Sequence, residues 1–404
     1  MAEIFADLHV HSPYARATSK KMVPEYTSLY GRMKGLHLIG TGDCTFKKWM
    51  EELKKEFESG EGIYNYNGMK FIISGEISTI YKKSGKVRKI HHAVLVPDFD
   101  TAFQIIDVLG KRGNLEADGR PILGMDSAEL VEILKNINRR VEIIPAHIWT
   151  PWFSLFGSNS GFDSVEECYG DMAKHIHALE TGLSSDPEMN WRISALDKYT
   201  LVSNSDSHSP YPWRIGRECN VFDMGKITYD NIIHAIRNRK ILYTIETDPA
   251  YGKYHWDGHR ECGVSMPPEK AIKLNNICPV CKKPLTIGVE HRVEDLADRK
   301  SGYRPPSAID FKKLLPLHEI ISKVKKIGIN TQKCWDIYNM FIKKFGNEFN
   351  VLLNVPISKI FEIDKEIGLI IKIMREGELK VRPGYDGVYG EMIVEKERKI
   401  TDFF

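Results

Sequence analysis

The 404-residue chain carries 57 lysines and arginines against 54 aspartates and glutamates, a formal charge of +3. So small an excess neither requires nor excludes a polyanionic partner, because a local basic patch fits within a balanced total. The 42% hydrophobic and 27% charged shares are those of an ordinary globular protein, and no apolar run nears the roughly 18 residues of a membrane span. The N-terminal MAEIFADLHV, interrupted by Asp7 and His9, is not a signal peptide. Of seven cysteines only Cys262, Cys278 and Cys281 cluster, which predicts a reducing, cytoplasmic setting with thiols kept for metal rather than for disulfides.

Over residues 1–250, short runs rich in β-branched residues alternate with amphipathic stretches: IFADLHV, GLHLIGTGD, KFIISGEIS, HHAVLV, VEIIPAH and YTLVSNSD. Each run reads as a buried strand, and the stretches between them as helices. The pattern predicts parallel βα units in a barrel-like or layered α/β domain. Nearly every polar residue of interest stands at the end of a run, where α/β barrels collect catalytic groups.

The first strand ends in DLHVH, and residues i and i+2 of a strand share a face, so His9 and His11 can reach one ion. TGDC adds Asp43 and a candidate in Cys44, SGEIS adds Glu76, PAHIW adds His147, and SNSDSH adds Asp206 and His208. HHAVLV places His91 and His92 on opposite faces, so one of the two faces the site. Mixed imidazole and carboxylate ligands suit divalent zinc, manganese or iron, and a bridging carboxylate suits a multinuclear hydrolytic site. Between Glu76 and His92 a hairpin tip, YKKSGKVRK, would hold Lys82, Lys83, Lys86, Arg88 and Lys89 over the site, suiting a polyanion. Trp149 and Trp152, with Phe153, follow His147 and could stack on bases, although core packing explains them as well.

Residues 251–305 lose periodicity. There His259-x-x-Cys262 and Cys278-x-x-Cys281 make two short knuckles with the spacing of one tetrahedral zinc site, His255 being a neighbouring alternative to His259. Residues 306–404 are predicted to be mostly helical, with stripes at Leu317, Ile320, Ile321, Val324 and Ile327 and at Trp335, Tyr338, Phe341 and Phe345. The tail ERKITDFF resembles a sliding-clamp-binding motif in which Ile400, Phe403 and Phe404 form one apolar plug.

The order HxH, Asp, Glu, His, His and a closing DxH resembles the polymerase and histidinol phosphatase (PHP) superfamily. That resemblance implies an α/β fold with a PHP-type distorted seven-stranded β/α barrel, here followed by the small zinc-binding module and the helical C-terminal domain. It implies metal ligands His9, His11, Asp43, Glu76, His92, His147, Asp206 and His208, with His92 chosen over His91 because it directly precedes the apolar AVLV. Two or three divalent ions are implied, zinc first, with magnesium or manganese as alternatives, besides one structural zinc. The chain departs from many members at Asp43-Cys44, where they carry Asp-His.

Longer strings resemble the endonuclease Q family of DNA repair enzymes: HSPYARATSK, HIWTPWFSLFGSNSGFDS, GLSSDPEMNW, SNSDSHSP, DGHREC, CPVC, VEHRVEDLADR and PGYDGVYGE. This implies a metal-dependent endonuclease, associated with the nucleoid, that cuts damaged DNA 5′ of deaminated bases (uracil, hypoxanthine, xanthine) and abasic sites, leaving a 3′-hydroxyl and a 5′-phosphate. On that reading Glu76, Asp206 and His208 are the catalytic residues, and Ser184, Ser185 and Asp186 are candidates for a lesion pocket. A PHP-type phosphatase of small phosphomonoesters and a DNA-binding scaffold with a vestigial metal site are the alternatives.

Overall fold

The computed structural model describes residues 2–58 and 60–393. Its strands, in chain order, are β1 (Ala2–Asp7), β2 (Leu38–Gly40), β3 (Ile63–Tyr66), β4 (Met69–Lys83), β5 (Lys86–Val96), β6 (Ile122–Leu123) and β7 (Glu142–Pro145). They continue as β8 (Ala178–Glu180), β9 (Thr200–Val202), β10 (Cys219–Met224), β11 (Tyr243–Glu246), β12 (Asp257–His259), β13 (Val264–Met266), β14 (Asp310–Lys313), β15 (Val381–Arg382) and β16 (Glu391–Met392), the last two forming an antiparallel pair of their own. The main sheet curls into a half-barrel in the order β14-β11-β10-β1-β2-β4-β5-β7, with β3 and β6 on the flanks of β4. A separate parallel pair, β8 with β9, follows β7 around the barrel.

Parallel pairing holds along β1–β2–β4 but covers only part of the main sheet. β5 runs antiparallel to both β4 and β7, and β10 runs antiparallel to both β1 and β11. The physical cause at β4–β5 is the two-residue turn Ser84-Gly85, both at positive φ (53° and 75°), which closes a tight hairpin instead of a helical crossover. β4 therefore does not stop at Glu76 but runs on to Lys83, and Glu76 sits in mid-strand.

Inward side chains Ala6, Leu38, Ile72, Ala93, Ile144, Ala178, Val202 and Phe222 fill the barrel, joined by Tyr229, Ile232, Ile233 and Ile236 of the helix Tyr229–Arg237. Each large apolar group so buried stabilises the fold by roughly 1.5–3 kcal/mol. This core packs one end of the barrel tightly, so the polar groups gather at the other, at the strand ends.

The segment over 251–305 has a small core of its own, Met266, Ala271, Cys278 and Leu285, with the hairpin β12–β13 beside it, while its Val289 and Val293 join the main core. After it, β14 returns to the main sheet beside β11. Helices Leu317–Lys325, Gln332–Phe345, Glu348–Leu353, Ile357–Phe361 and Lys365–Arg375 then dock on the barrel. Leu317, Ile320, Ile321, Tyr338 and Phe341 are buried there. Buried Lys34 reaches Glu348 at 2.7 Å, and Glu348 also accepts from the Leu317 amide and the Tyr338 hydroxyl, so one carboxylate ties the helices to the barrel. Among the described residues no helix is long and apolar enough to cross a membrane.

Candidate metal centre at the barrel rim

β1 ends at Asp7, and the chain carries His9 and His11 onward over the rim, where His11 N–H bonds to the Ser207 carbonyl. The two imidazoles, a carboxylate from β4 and another from the loop after β9 meet there. His9, His11, Glu76 and Asp206 each offer a donor atom, all within 4.8 Å of one another; Glu76, His91 and His147 form a second such group that shares Glu76. A carboxylate common to two donor sets is the arrangement a two-ion site needs.

Register decides which histidine joins. Ser78 lies opposite His91 and Ile77 opposite His92, so His91 shares a face with Glu76 whereas His92 points to the other side of the sheet. The expectation of His92 is thereby corrected: its Nδ1 donates to the Ile77 carbonyl at 3.1 Å, its ring packs on Tyr169, and burial pushes it down to about 4. His91 Nδ1 bonds to Glu76 instead, with His147 Nε2 at 3.2 Å.

The first-contact imidazoles are oriented by carboxylates behind them. His9 Nδ1 donates to Glu180 at 3.0 Å, leaving Nε2 buried and without a hydrogen-bond partner, 3.8 Å from Glu76 and 3.9 Å from Asp206. Those separations are too long for hydrogen bonds and leave room for a cation. His11 Nδ1 donates to Asp43 at 3.2 Å, and Nε2 faces Asp206 at 2.9 Å and Glu76 at 3.4 Å. Asp43 is also held by the Ser12 amide and hydroxyl, so it stands behind His11 rather than in the donor cluster. Carboxylate–histidine–metal relays of this kind fix the tautomer and raise ligand basicity.

Burial opposes charge throughout, yet the pairings prevail. Despite burial, the carboxylates of Asp206 and Asp43 lift His11 to about 9, and Glu180 and Glu76 lift His9 well above its ordinary value. Against the same burial, His91 and His147 hold Glu76 well below the usual carboxylate range, and His11 does so for Asp206. A cluster of ionised carboxylates facing imidazoles can exchange protons for divalent ions.

Three residues of this rim, Asp43 (φ 50°), His147 (φ 30°) and Asp206 (φ 48°), lie in the left-handed region. Gly182 packs so closely that a Cβ there would collide with the Cβ of His147. His208 is half-exposed, its Nδ1 donating to the Asp206 carbonyl at 2.9 Å and its ring 4.3 Å from that of His11; it lies beside the two donor groups, not within them. Burial and the neighbouring Asp43 charge push the Cys44 thiol up to about 12, and Cys44 belongs to neither donor group.

The predicted basic hairpin divides by face. Lys82 and Lys89 lie on the Glu76–His91 side, whereas Lys83, Lys86 and Arg88 lie on the other. Arg88 is buried against the Gly161 carbonyl and Glu167, and Lys83 bonds to the Cys168 carbonyl and Asp126. Trp149 is 1% exposed and donates to Asn190, so it belongs to the core; Trp152 is 43% exposed beside Tyr254. Ser185 donates to the Thr181 carbonyl, and Asp186 caps the following helix and pairs with Lys313 at 2.8 Å, so neither is free to read a base. His259, Cys262, Cys278 and Cys281 bring their donors within 4.8 Å of one another, while His255 lies 3.6 Å from Glu290 and apart from them. Ile400, Phe403 and Phe404 lie outside the described residues.

Sequence reasoning missed Glu180, Asn204 and Arg120. Glu180 ends β8 as Asp7 ends β1, so a reading that recognised ALE as a strand would have found it. Asn204 donates to it at 2.8 Å and so fixes its rotamer. Arg120 stands on a loop with no periodic signal, its guanidinium 3.3 Å from Glu76.

Residues 316–378 match the family model of the MJ0043 C-terminal domain. Protein MJ0043 of Methanocaldococcus jannaschii is 37% identical over 60% of this chain, a match that takes in 31% of that protein's length. The crystal structure of the lesion-specific endonuclease PfuEndoQ from Pyrococcus furiosus superposes with a TM-score of 0.89 at 33% identity, covering 99% of this chain and 98% of that one. Endonuclease Q in complex with a 27-mer duplex substrate, an abasic lesion at its active site, gives the same TM-score and identity with 100% of both chains covered. On a likeness of that extent and identity, this chain belongs to the endonuclease Q family of lesion-specific endonucleases.

Proposed function

We propose that the protein hydrolyses the DNA phosphodiester on the 5′ side of deaminated bases (uracil, hypoxanthine, xanthine) and abasic sites, leaving a 3′-hydroxyl and a 5′-phosphate. The observation that carries this reading is the pair of donor groups sharing Glu76, in a chain whose relative is bound to an abasic duplex. Bound in those groups, two divalent ions would polarise a phosphoryl oxygen and supply a nucleophile from water. Zinc suits the imidazole-rich rim, and His259 with three thiols suits a structural zinc that supplements the small core of that module.

The remaining work falls to the chain. Glu180 and Asp43 hold His9 and His11 in the tautomer that presents Nε2. With Nδ1 donating to the Asp206 carbonyl, neutral His208 keeps Nε2 as an acceptor at the half-exposed rim, able to take a proton from the attacking water. Lys82 and Lys89 attract the backbone from the hairpin, and exposed Trp152 offers a face to an unstacked base. Deaminated bases mispair, so drawing them out of the stack costs less than for a paired base.

End-labelled duplexes carrying uracil, hypoxanthine or an abasic analogue, incubated with and without chelator, test the reading. A single nick 5′ of the lesion, lost in chelator, is expected. Intact duplexes together with rapid hydrolysis of p-nitrophenyl phosphate would replace it with the small-phosphomonoester reading.

A further inference from the structure

Arg120 lies between the helix Phe99–Leu109 and β6, and nothing in its motif marks it. Its Nη1 stands 3.3 Å from Glu76 Oε2, the oxygen that also faces His11 at 3.4 Å and His9 at 3.8 Å. The guanidinium side chain is 25% exposed, while the Glu76 side chain is fully buried. The arginine thus stands where the cluster opens to solvent.

The loop that carries it is fastened on both sides. Gly119 N–H donates to the Tyr14 carbonyl, and a Cβ at Gly119 would overlap the Asp43 carboxylate, so the backbone lies directly on the site. Asp118 accepts from the amides of Arg16 and Arg120, and the Pro121 carbonyl accepts from the Ser78 amide at 2.9 Å. Such fastening presents the guanidinium from a preorganised position.

As a simple ion pair the placement is poor chemistry. Glu76 is already faced by His9, His11, His91 and His147, so it has no shortage of cationic partners. A permanent positive charge beside sites for divalent cations repels those cations, unless a further anion joins them. The anion that joins them in an endonuclease is the scissile phosphate, and the guanidinium fork matches two of its oxygens.

Resting on the endonuclease reading above, we infer that Arg120 is a catalytic residue that grips a non-bridging oxygen of the scissile phosphate and stabilises the charge that grows there during attack. Donors aimed at developing charge act mainly on turnover.

The test uses the full chain, Arg120→Ala and Arg120→Lys, and a duplex carrying a tetrahydrofuran abasic analogue. Arg120→Ala should lower kcat about a hundredfold or more while metal content per chain and melting temperature stay at wild-type values. Arg120→Lys, which keeps the charge without the fork, should fall between. Binding in calcium supplies a second readout: replacing the scissile linkage by a methylphosphonate should weaken the wild type severalfold and Arg120→Ala hardly at all. Equal weakening of both proteins, unchanged kcat, or loss of metal from Arg120→Ala would each overturn the inference. A wild type that leaves the duplex intact overturns the endonuclease reading itself, and is told apart by that result.

Discussion

Replacing Glu180 by Gln isolates the layer behind the metal donors. The carboxylate is fully buried and accepts three hydrogen bonds: from His9 Nδ1 at 3.0 Å, from the His147 amide at 2.9 Å and from Asn204 Nδ2 at 2.8 Å. A glutamine has one oxygen and one NH2 group at that place. Whichever way the amide turns, its NH2 faces a donor, so at least one bond to a charged acceptor is lost, at roughly 1.5–3 kcal/mol. The consequence for the ions follows from His9, whose ring loses the anchor that keeps Nε2 toward Glu76 and Asp206. Loss of such a partner lowers metal affinity about 10- to 100-fold. Competition against a chelator of known affinity measures that change, and melting in excess chelator measures the fold separately. A Glu180→Gln protein that melts lower but holds its metals as tightly as wild type would show that Glu180 serves packing alone.

Other outcomes follow from the register and the burial. His91→Ala should lose metal from the group it shares with Glu76 and lose nicking, whereas His92→Ala should mainly lower the melting temperature; metal analysis of both checks the assignment. Lys82→Ala with Lys89→Ala should lower the salt slope of DNA binding by about 2, and Lys86→Ala, on the opposite face, by less. Burial pushes the Glu218 carboxyl up to about 8 in the folded chain, above its ordinary 4.5. Its contribution to stability is therefore full below about pH 4.5 and lost as pH rises through about 8, at no more than about 1.4 kcal/mol per pH unit. Glu218→Gln should flatten that decline in chelator-treated protein, and stability curves that stay parallel over the window would contradict it.

Much of the rim was legible because His9, His11, His147 and Asp206 follow strand ends, where an i, i+2 pair such as His9 and His11 needs no knowledge of neighbours, although Glu76 and His91 lie in mid-strand. The Cys/His knuckles were legible for the same local reason. What escaped depends on partners distant in the chain. Choosing between His91 and His92 requires the β4–β5 register, which the Ser84-Gly85 turn sets and a local pattern does not reveal. The β4–β5 hairpin was legible, but not the antiparallel pairing of β5 with β7 or of β10 with β1 and β11, and the basic tip looked uniform until its alternation assigned two lysines to one face and three cations to the other. Trp149 is apolar surface and hydrogen-bonding group at once, and burial beside Asn190 decided its place. Arg120 and Glu180 act through contacts with residues far along the chain, and no spacing announces them.

Counting metal ions per purified chain, in the wild type and in Glu76→Gln and Cys278→Ser, bears most directly on the shared role of Glu76. The account predicts about three ions in the wild type, loss of the two rim ions in Glu76→Gln, and loss of only the knuckle ion in Cys278→Ser. A Glu76→Gln protein with the full wild-type complement would contradict it.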